Sequence, residues 1–243
     1  LGCRPQAMSF DITNACAGML TGVHVLNGMI KSGAVKTGMV VSGECVTPVT
    51  ETALKEIRDP IDAQFASLTV GDSGAAVILD AATEQDGGIE LTEFFTIAEF
   101  ADLCVAMPSD ENPGLAMYSK SMEIHQETIR RLPQLAGFVM RKYGLSGKDV
   151  DYVIPHQTSV RAIHQALGLC SRHLDAVPEA LISLEKFGNT ASTSHFVVLH
   201  EHLRERRLKK NAKILFLALA SGIAVGFVLT TIGRLEACYG YHH

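Results

Sequence analysis

The sequence lacks the cysteine spacing that zinc sites and disulfide frameworks need. Its six cysteines, at positions 3, 16, 45, 104, 170 and 238, include no CxxC pair. We therefore expect reduced thiols and a cytoplasmic setting. No HExxH motif is present either, and His195, His200 and His202 are interpreted as one solvated helix face, so no metal is expected.

The sequence also lacks an excess of positive charge and a recognisable leader segment. Its formal net charge of −5 gives no reason to expect nucleic acid as a partner. No charged-then-apolar signal segment opens it. The uncharged stretch between Lys213 and Arg234 is long enough to cross a bilayer, but Ser221 and Gly222 interrupt it. We interpret it as two buried strands, over residues 213–219 and 224–232, and expect no membrane span.

What the sequence does contain is an alternation of apolar strands and helices. Apolar periodicity predicts a buried helix over residues 19–30, stopped by Gly33. Further strands are predicted at 39–43, 70–79, 89–98, 152–154 and 181–184, and further helices at 119–143 (kinked or split by Pro133), 159–169 and 192–206. Residues 44–70 and 103–117 are expected to be irregular loops. The alternation indicates an α/β layered fold without a low-complexity linker.

Two glycines open the predicted strand at 70–79. Gly71 and Gly74 suggest a phosphate-binding loop, but the third glycine and the helix that such a loop needs are missing. We therefore expect these glycines to allow close backbone packing.

Cys16 is the strongest candidate for a nucleophile. An extended segment over residues 8–12 precedes it, and the buried helix follows it, which places the thiol in the first helical turn. The free N–H groups and the dipole of a helix N-terminus favour the thiolate, which is the reactive form. Its small neighbours Ala15, Ala17 and Gly18 leave the sulfur open to a substrate. Taken alone, the cysteine is as well explained as a small buried hydrophobe.

Two further polar residues, like Cys16, lie directly before a predicted helix. His156 stands where a buried strand gives way to a helix, and Asn189 lies in a glycine-containing turn before another helix. Because strand ends of an α/β sheet meet at one crevice, we expect both to lie near Cys16. Histidine and asparagine can stabilise the charge that develops on a thioester carbonyl, and histidine can move protons near neutral pH. Singly, each is equally well explained as a core histidine or a turn residue.

Four motifs make the sequence recognisable. They are Asp11-xxx-Ala15-Cys16-Ala17-Gly18, Gly71-Asp72-Ser73-Gly74-Ala75, Pro155-His156-Gln157-xxx-Arg161 and Phe187-Gly188-Asn189-Thr190. In their order and spacing they closely resemble β-ketoacyl-acyl-carrier-protein synthase III of the thiolase superfamily, over nearly the whole chain. The resemblance implies a layered α/β/α/β/α thiolase-like fold. Residues 1–84 would be the remainder of the nucleophile-bearing first half, and residues 85–243 the second half with His156 and Asn189.

The resemblance also implies a reaction. Cys16 would take an acyl group from acyl-CoA, and His156 with Asn189 would bind the carbonyl of a malonyl thioester, whose decarboxylation gives an enolate that attacks the acyl-cysteine. The backbone N–H groups of Cys16 and Ser221 would form the oxyanion hole, although Ala220-Ser221-Gly222 stands where the family has three glycines. Arg161 would meet the phosphopantetheine arm or the acyl carrier protein, unless it is merely an exposed helix charge. No cofactor is implied beyond CoA or phosphopantetheine thioesters as substrates.

The front of the family's fold is absent from this sequence. Family members place on the order of a hundred residues before the cysteine. We interpret Leu1 as a cut end and expect a second polypeptide to supply the missing segment, with the completed protomer forming a dimer. Two other functions stay open beside this fatty-acid or polyketide-type condensation. One is acyl transfer or non-decarboxylative condensation on the same cysteine, and the other is a non-catalytic subunit of a heteromer.

Overall fold

A mixed five-stranded sheet lies at the centre of the computed structural model, which describes residues 6–82 and 87–239. The helices are α1 (Gly18–Lys31), α2 (Thr47–Glu56), α3 (Ser121–Lys142), α4 (Val160–Cys170), α5 (Leu184–Phe187), α6 (Ser194–Arg204) and α7 (Gly233–Cys238). The strands are β1 (Thr37–Glu44), β2 (Ser73–Asp80), β3 (Gly88–Phe100), β4 (Cys104–Pro108), β5 (Leu115–Ser119), β6 (Tyr152–Pro155), β7 (Glu179–Ala180), β8 (Lys213–Ala220) and β9 (Gly222–Thr231). Short 3-10 turns occur at Ala15–Ala17, Phe65–Thr69, Ala101–Leu103, Gly147–Asp149 and Ala191–Thr193.

The central sheet has the order β3-β9-β8-β6-β7 and is covered on both faces. β6 runs parallel to β7 and β8, whereas β9 pairs antiparallel with β8 and β3. Because side chains alternate along a strand, Phe216 and Ala218 of β8 pack with α1 and α6, and Leu217 packs with α3 and α4. Burial on both faces explains the nearly continuous apolar sequences of β8 and β9.

A second, two-stranded sheet of β1 and β2 lies on the far side of α1. A Cβ added at Gly22 of α1 would stand 2.7 Å from Val40 of β1, and one at Gly38 of β1 would stand 2.4 Å from Leu26 of α1. The absence of these side chains lets helix and sheet approach closely. The layers are therefore β1–β2, then α1 with α6, then the central sheet, then α3 with α4, which confirms the predicted α/β layering.

Several predicted elements are confirmed with small shifts in their bounds. α1 ends at Lys31, and Gly33 has the positive φ of 75° that a residue after a helix often adopts. The apolar stretch near the C-terminus forms strands β8 and β9, as predicted. α3 continues through Pro133 as one assigned helix, so the expected split does not occur. Within the described residues, no helix combines the length and the apolar character that crossing a bilayer requires.

Three predictions about local structure are wrong. The expected loop over residues 44–70 contains α2 and the Phe65–Thr69 turn, and the expected loop over 103–117 contains the antiparallel pair β4 and β5. No strand forms at 181–184, because β7 ends at Ala180 and α5 begins at Leu184. Residues 8–12, which we expect to be extended, belong to no helix and to no strand.

Some predictions fall outside the described residues. The boundary expected at 84/85 lies within residues 83–86, and Leu1 also lies outside the described residues. Of the six cysteines, Cys3 is outside as well, and the other five are free thiols.

Candidate active site

Cys16 lies in the 3-10 turn Ala15–Ala17, directly before α1 rather than inside its first turn. The turn opens with Ala15 at a φ of +41°, a value that an alanine adopts only at a cost in free energy. It packs against β8 and β9 and against the turn Ala191–Thr193. The sulfur is half-buried at this junction.

The resting form of Cys16 differs from the expectation. Burial, with smaller contributions from the neighbouring Cys104 and Glu44, raises the pKa of the thiol to about 12 against the lowering effect of a backbone hydrogen bond. Loss of hydration therefore outweighs the helix N-terminus, and the predicted thiolate is wrong for the resting site. At neutral pH the residue is a thiol that must lose its proton as it reacts.

His156 ends the parallel part of the central sheet and is almost fully buried. Its backbone N–H donates to the carbonyl of Leu217 on β8 over 2.9 Å. Burial, followed by the nearby His195, lowers the pKa of His156 to about 3. The ring is therefore neutral at pH 7, which suits a hydrogen-bond donor and not the proton carrier near neutral pH that we expected.

Gln157 fixes the loop that follows His156. The side chain is buried, and its Nε2 donates to the carbonyl of Pro155 over 2.8 Å. Its Oε1 accepts the backbone N–H of Ser183 over 3.0 Å. These bonds tie the Pro155–Gln157 backbone to the segment before α5, so that the His156 loop is anchored both to that segment and to β8.

Asn189 is half-buried in the turn between α5 and α6. Its backbone N–H donates to Thr69 over 2.8 Å, and its carbonyl accepts the N–H of Gly71 over 3.0 Å. A Cβ at Gly71 would lie 2.3 Å from the carbonyl oxygen of Phe187, which confirms that this glycine permits close backbone packing. The Asn189 Oδ1 accepts the N–H of Ala191 over 3.0 Å, so the carboxamide nitrogen is the atom left for a substrate.

The turns that carry Cys16 and follow Asn189 lie against each other. A Cβ at Gly18 would stand 3.7 Å from Cβ of Ser192, and the two 3-10 turns are in contact. Both turns begin with an alanine of positive φ, Ala15 at 41° and Ala191 at 47°. Strained residues of this kind concentrate at functional sites.

Sequence reasoning did not find the polar network that joins the turn after Asn189 to the end of β1. Ser192 donates through its hydroxyl to the carboxylate of Glu44 at the end of β1, and its backbone N–H donates to the same oxygen over 3.2 Å. Ser42 donates to that oxygen over 3.1 Å, and its hydroxyl oxygen lies 2.9 Å from that of Ser192. Serine in a turn gives no sequence signal for such a role, because its partner is 148 residues away.

Two of the three histidines of α6 contradict the predicted solvated face. His200 is exposed, whereas His195 and His202 are buried. His195 has no exposed surface, and its ring stacks on that of His156 with 6.0 Å between centroids. The apolar environment of α6, with Val198, Leu199 and Leu203 in the core, is the signal that could have indicated burial.

The other predicted site residues occupy two different places. Ser221 forms the turn between β8 and β9, and the Cys16 turn packs on these two strands. Arg161 is exposed in the first turn of α4, five residues beyond His156. Among the described residues, no three His, Cys, Asp or Glu side chains are grouped so that they could hold a metal ion.

Comparisons with known proteins agree with this arrangement. A family model described as 3-oxoacyl-[acyl-carrier-protein] synthase III matches residues 10–98, and its C-terminal counterpart matches residues 140–232. The β-ketoacyl-[acyl-carrier-protein] synthase III of Coxiella burnetii is 27% identical over 236 residues, which are 94% of this chain and 68% of that protein. The enzyme of Deinococcus deserti is 25% identical, over 90% of this chain and 60% of that protein.

Solved structures show the same fold. The 3-oxoacyl-(acyl carrier protein) synthase III of Pseudomonas aeruginosa superposes with a TM-score of 0.75 at 19% identity, covering 93% of this chain and 68% of that one. OleA of Xanthomonas campestris superposes with a TM-score of 0.81 at 21% identity, covering 95% and 68%. The chain thus spans about two thirds of the length of its relatives. With both family models matched in order, this chain belongs to the 3-oxoacyl-[acyl-carrier-protein] synthase III family and has its thiolase-like fold.

Proposed function

We propose that this chain carries the reaction centre of a β-ketoacyl synthase III-like acyltransferase. The observation that carries the proposal is the packing of the Cys16 turn against both the turn after Asn189 and the β8–β9 pair. β8 also holds the backbone of His156 through Leu217. A thiol, an imidazole and a carboxamide supplied by adjacent elements can serve one thioester substrate.

In the first step, Cys16 takes the acyl group of an acyl-CoA. The sulfur attacks the thioester carbonyl, a new carbon–sulfur bond forms, and the bond to CoA breaks. The thiol proton is transferred to the departing CoA sulfur. Because burial holds the pKa of Cys16 at about 12, proton loss and attack occur together rather than through a stored thiolate. The backbone N–H groups of Cys16 and Ser221 would bind the oxyanion.

In the second step, His156 and Asn189 hold the carbonyl oxygen of a malonyl thioester. Its carboxylate leaves as CO2, and the electron pair becomes an enolate whose oxygen both side chains stabilise. The enolate carbon attacks the acyl-cysteine, the carbon–sulfur bond breaks, and the sulfur takes a proton again. The neutral state of His156 at pH 7 supports its role as a donor in this step. No cofactor is required beyond the CoA or phosphopantetheine thioesters.

Labelling of Cys16 tests this function and separates it from its alternatives. Incubation with acyl-CoAs of several chain lengths should add one acyl mass to Cys16, and Cys16→Ala should abolish the addition. Malonyl thioester should then discharge the acyl group with release of CO2. An acyl-cysteine that malonyl thioester does not discharge would support acyl transfer or non-decarboxylative condensation instead. A Cys16 that no acyl thioester labels would leave only the non-catalytic subunit.

We further propose that additional polypeptide covers the outward face of β1 and β2. This face carries Met39, Val41 and Ile78, which are 41%, 64% and 69% exposed. Met39 pairs with Ile78, and Val41 pairs with Ala76, so the apolar side chains form one patch on paired strands. The longer relatives have extra chain length from which such a cover can come.

The mass of the native assembly tests this cover. A dimer of protomers, each completed by a second polypeptide, is the expected species in light scattering and denaturing electrophoresis. A folded, active species made of this 26.2 kDa chain alone would contradict it.

Arg161 is proposed to bind the phosphopantetheine arm or the acyl carrier protein. It is exposed at the start of α4, close in sequence to His156. Arg161→Glu should raise the KM for malonyl carrier protein about ten-fold while leaving acylation of Cys16 unchanged. Arg172→Glu, exposed just beyond the other end of α4, is the matched control. Equal effects of both variants would mean that Arg161 is only a surface charge.

A further inference from the structure

His195 is a buried polar residue to which the proposed reaction assigns no role. It is the second residue of α6, and its exposed fraction is 0%. The surrounding helix contributes Val198, Leu199 and Leu203 to the hydrophobic core. An apolar side chain would fit such a place without the cost of burying two ring nitrogens, so the histidine requires an explanation.

One nitrogen of His195 has a defined partner. Its Nε2 lies 3.0 Å from the carbonyl oxygen of Leu217. A carbonyl only accepts, so Nε2 carries the proton and the hydrogen bond fixes the tautomer of the ring. Leu217 is the residue whose carbonyl also accepts the backbone N–H of His156, over 2.9 Å. A single carbonyl of β8 therefore anchors both histidines.

The two rings are also neighbours in an offset arrangement. The imidazoles of His195 and His156 stack with 6.0 Å between centroids and 29° between their planes. The His195 ring also lies in an edge arrangement with the ring of Phe216, with 6.3 Å between centroids. His195 thus neighbours both a core aromatic ring and His156, and its orientation can influence that of the His156 ring.

Among the described residues, His195 is the aromatic ring that neighbours the ring of His156. The Nδ1 of His156 is buried and has no hydrogen-bond partner among the described residues. A catalytic imidazole is usually oriented by a hydrogen bond to its second nitrogen. Here stacking replaces that bond.

We propose that His195 is the positioning residue of His156, acting by a hydrogen bond to the shared Leu217 carbonyl and by stacking of the two imidazoles. This inference rests on the proposed function, in which His156 holds the malonyl carbonyl. His195 itself touches no reacting atom. Its contribution is to keep the neutral His156 ring in the orientation that the enolate oxygen needs.

Three substitutions at 195 separate positioning from general packing. In glutamine the amide nitrogen is as many bonds from Cα as the histidine Nε2, so His195→Gln can keep the bond to Leu217. In asparagine the amide nitrogen is one covalent bond nearer to Cα, at the position of the histidine Nδ1, so His195→Asn should lose the hydrogen bond to Leu217. His195→Leu removes both polar atoms. His202→Leu is the matched control, because His202 is equally buried in α6 but bonds to Val198 within its own helix.

The two half-reactions are then measured separately in the native assembly. We expect all four variants to acylate Cys16 within about two-fold of the unchanged protein. Decarboxylation of malonyl thioester should fall about 10- to 100-fold in His195→Leu and His195→Asn, since small misplacements of a catalytic group cost that much. His195→Gln and His202→Leu should stay within about three-fold. Ring nitrogen NMR signals of His156 should shift in the Leu and Asn variants and remain in place in the Gln variant.

The outcomes decide the inference separately from the proposed function. If the unchanged protein neither acylates nor decarboxylates, the proposed function fails, and the NMR signals alone decide whether His195 orients His156. If the unchanged protein is active and His195→Leu decarboxylates as fast, the inference is wrong. If the His195 variants lose acylation and decarboxylation in parallel, or if the Gln, Asn and Leu variants lose decarboxylation equally, His195 is only a packing residue and the inference is wrong.

Discussion

Ser192 donates both its hydroxyl and its backbone N–H to one carboxylate oxygen of Glu44. Glu44 ends the strand that follows the nucleophile helix, and Ser192 lies three residues beyond Asn189. The pair therefore ties the turn after Asn189 to the end of β1. It also brings a negative charge to the neighbourhood of Cys16, where it raises the pKa of the thiol.

Removal of that charge should make Cys16 more reactive. In Glu44→Gln the pKa of the thiol should fall, and the alkylation rate of Cys16 by iodoacetamide at a fixed pH should rise several-fold, since well below the pKa the thiolate fraction rises about ten-fold for each unit by which the pKa falls. Peptide mass spectrometry distinguishes Cys16 from the exposed Cys45 and Cys238. Ser192→Ala keeps the charge and serves as the control. An unchanged rate in Glu44→Gln would show that this carboxylate does not act on the sulfur.

A methyl group at Gly71 should disturb the Asn189 turn. The added Cβ would meet the Phe187 carbonyl at 2.3 Å, and neither backbone segment can move freely because Gly71 and Asn189 are hydrogen-bonded. We expect Gly71→Ala to lower the free energy of unfolding by about 1–3 kcal/mol, as overpacking usually does. In the same motif, a Cβ at Gly74 would come no nearer than 3.8 Å to another residue.

Gly74→Ala is therefore the control for that measurement. Its free energy of unfolding in urea should stay within about 0.5 kcal/mol of the unchanged protein. Equal stability of Gly71→Ala and Gly74→Ala would contradict the close packing of the turn.

Glu56 should make stability depend on pH. The carboxylate is buried and accepts hydrogen bonds from Ser109 over 2.5 Å, Asn112 over 3.0 Å and Gln64 over 2.7 Å, and these bonds hold its pKa below the ordinary value of 4.5. A depressed pKa adds stability above the ordinary pKa, and that stability is lost as the pH falls through the folded-state pKa.

Denaturation curves of the unchanged protein and of Glu56→Gln test this at pH 7 and at steps down to pH 3. The unchanged protein should be the more stable at pH 7, and the difference should shrink below about pH 5, where Glu56 begins to be protonated in the unfolded chain. A constant difference across this range would mean that the Glu56 charge does not stabilise the fold.

The sequence predicts the elements whose signals are local. The apolar pattern of β8 and β9 and the helix after Cys16 depend on burial that each segment shows by itself. The sequence does not indicate the start of α2, because the side chain that caps this helix is distant along the chain. The capping residue is Asp72, which lies 26 residues after Val46 and 25 after Thr47 and accepts their backbone N–H groups over 2.7 and 2.8 Å.

In the candidate site, too, local features could be predicted from the sequence and features that depend on distant contacts could not. The motifs around Cys16, His156 and Asn189 could be identified from residue type and order, because strand ends and glycine turns mark such places in sequence. The protonation states could not be predicted from the sequence, because they depend on burial, which makes Cys16 a thiol and His156 a neutral ring. The burial of α6 was not predicted either, and it makes His195 a neighbour of His156 rather than a surface residue.

The central claim is that His156 and Asn189 hold the same oxygen of a malonyl thioester. The most direct test is the rate of CO2 release in His156→Ala, Asn189→Ala and the double variant, with acylation of Cys16 followed in parallel. Each single variant should lose about a hundred- to thousand-fold. The double variant should lose little more than the worse single one, because residues that act as a unit are not additive. Losses that multiply in the double variant would show that the two side chains act independently, and the account would be wrong.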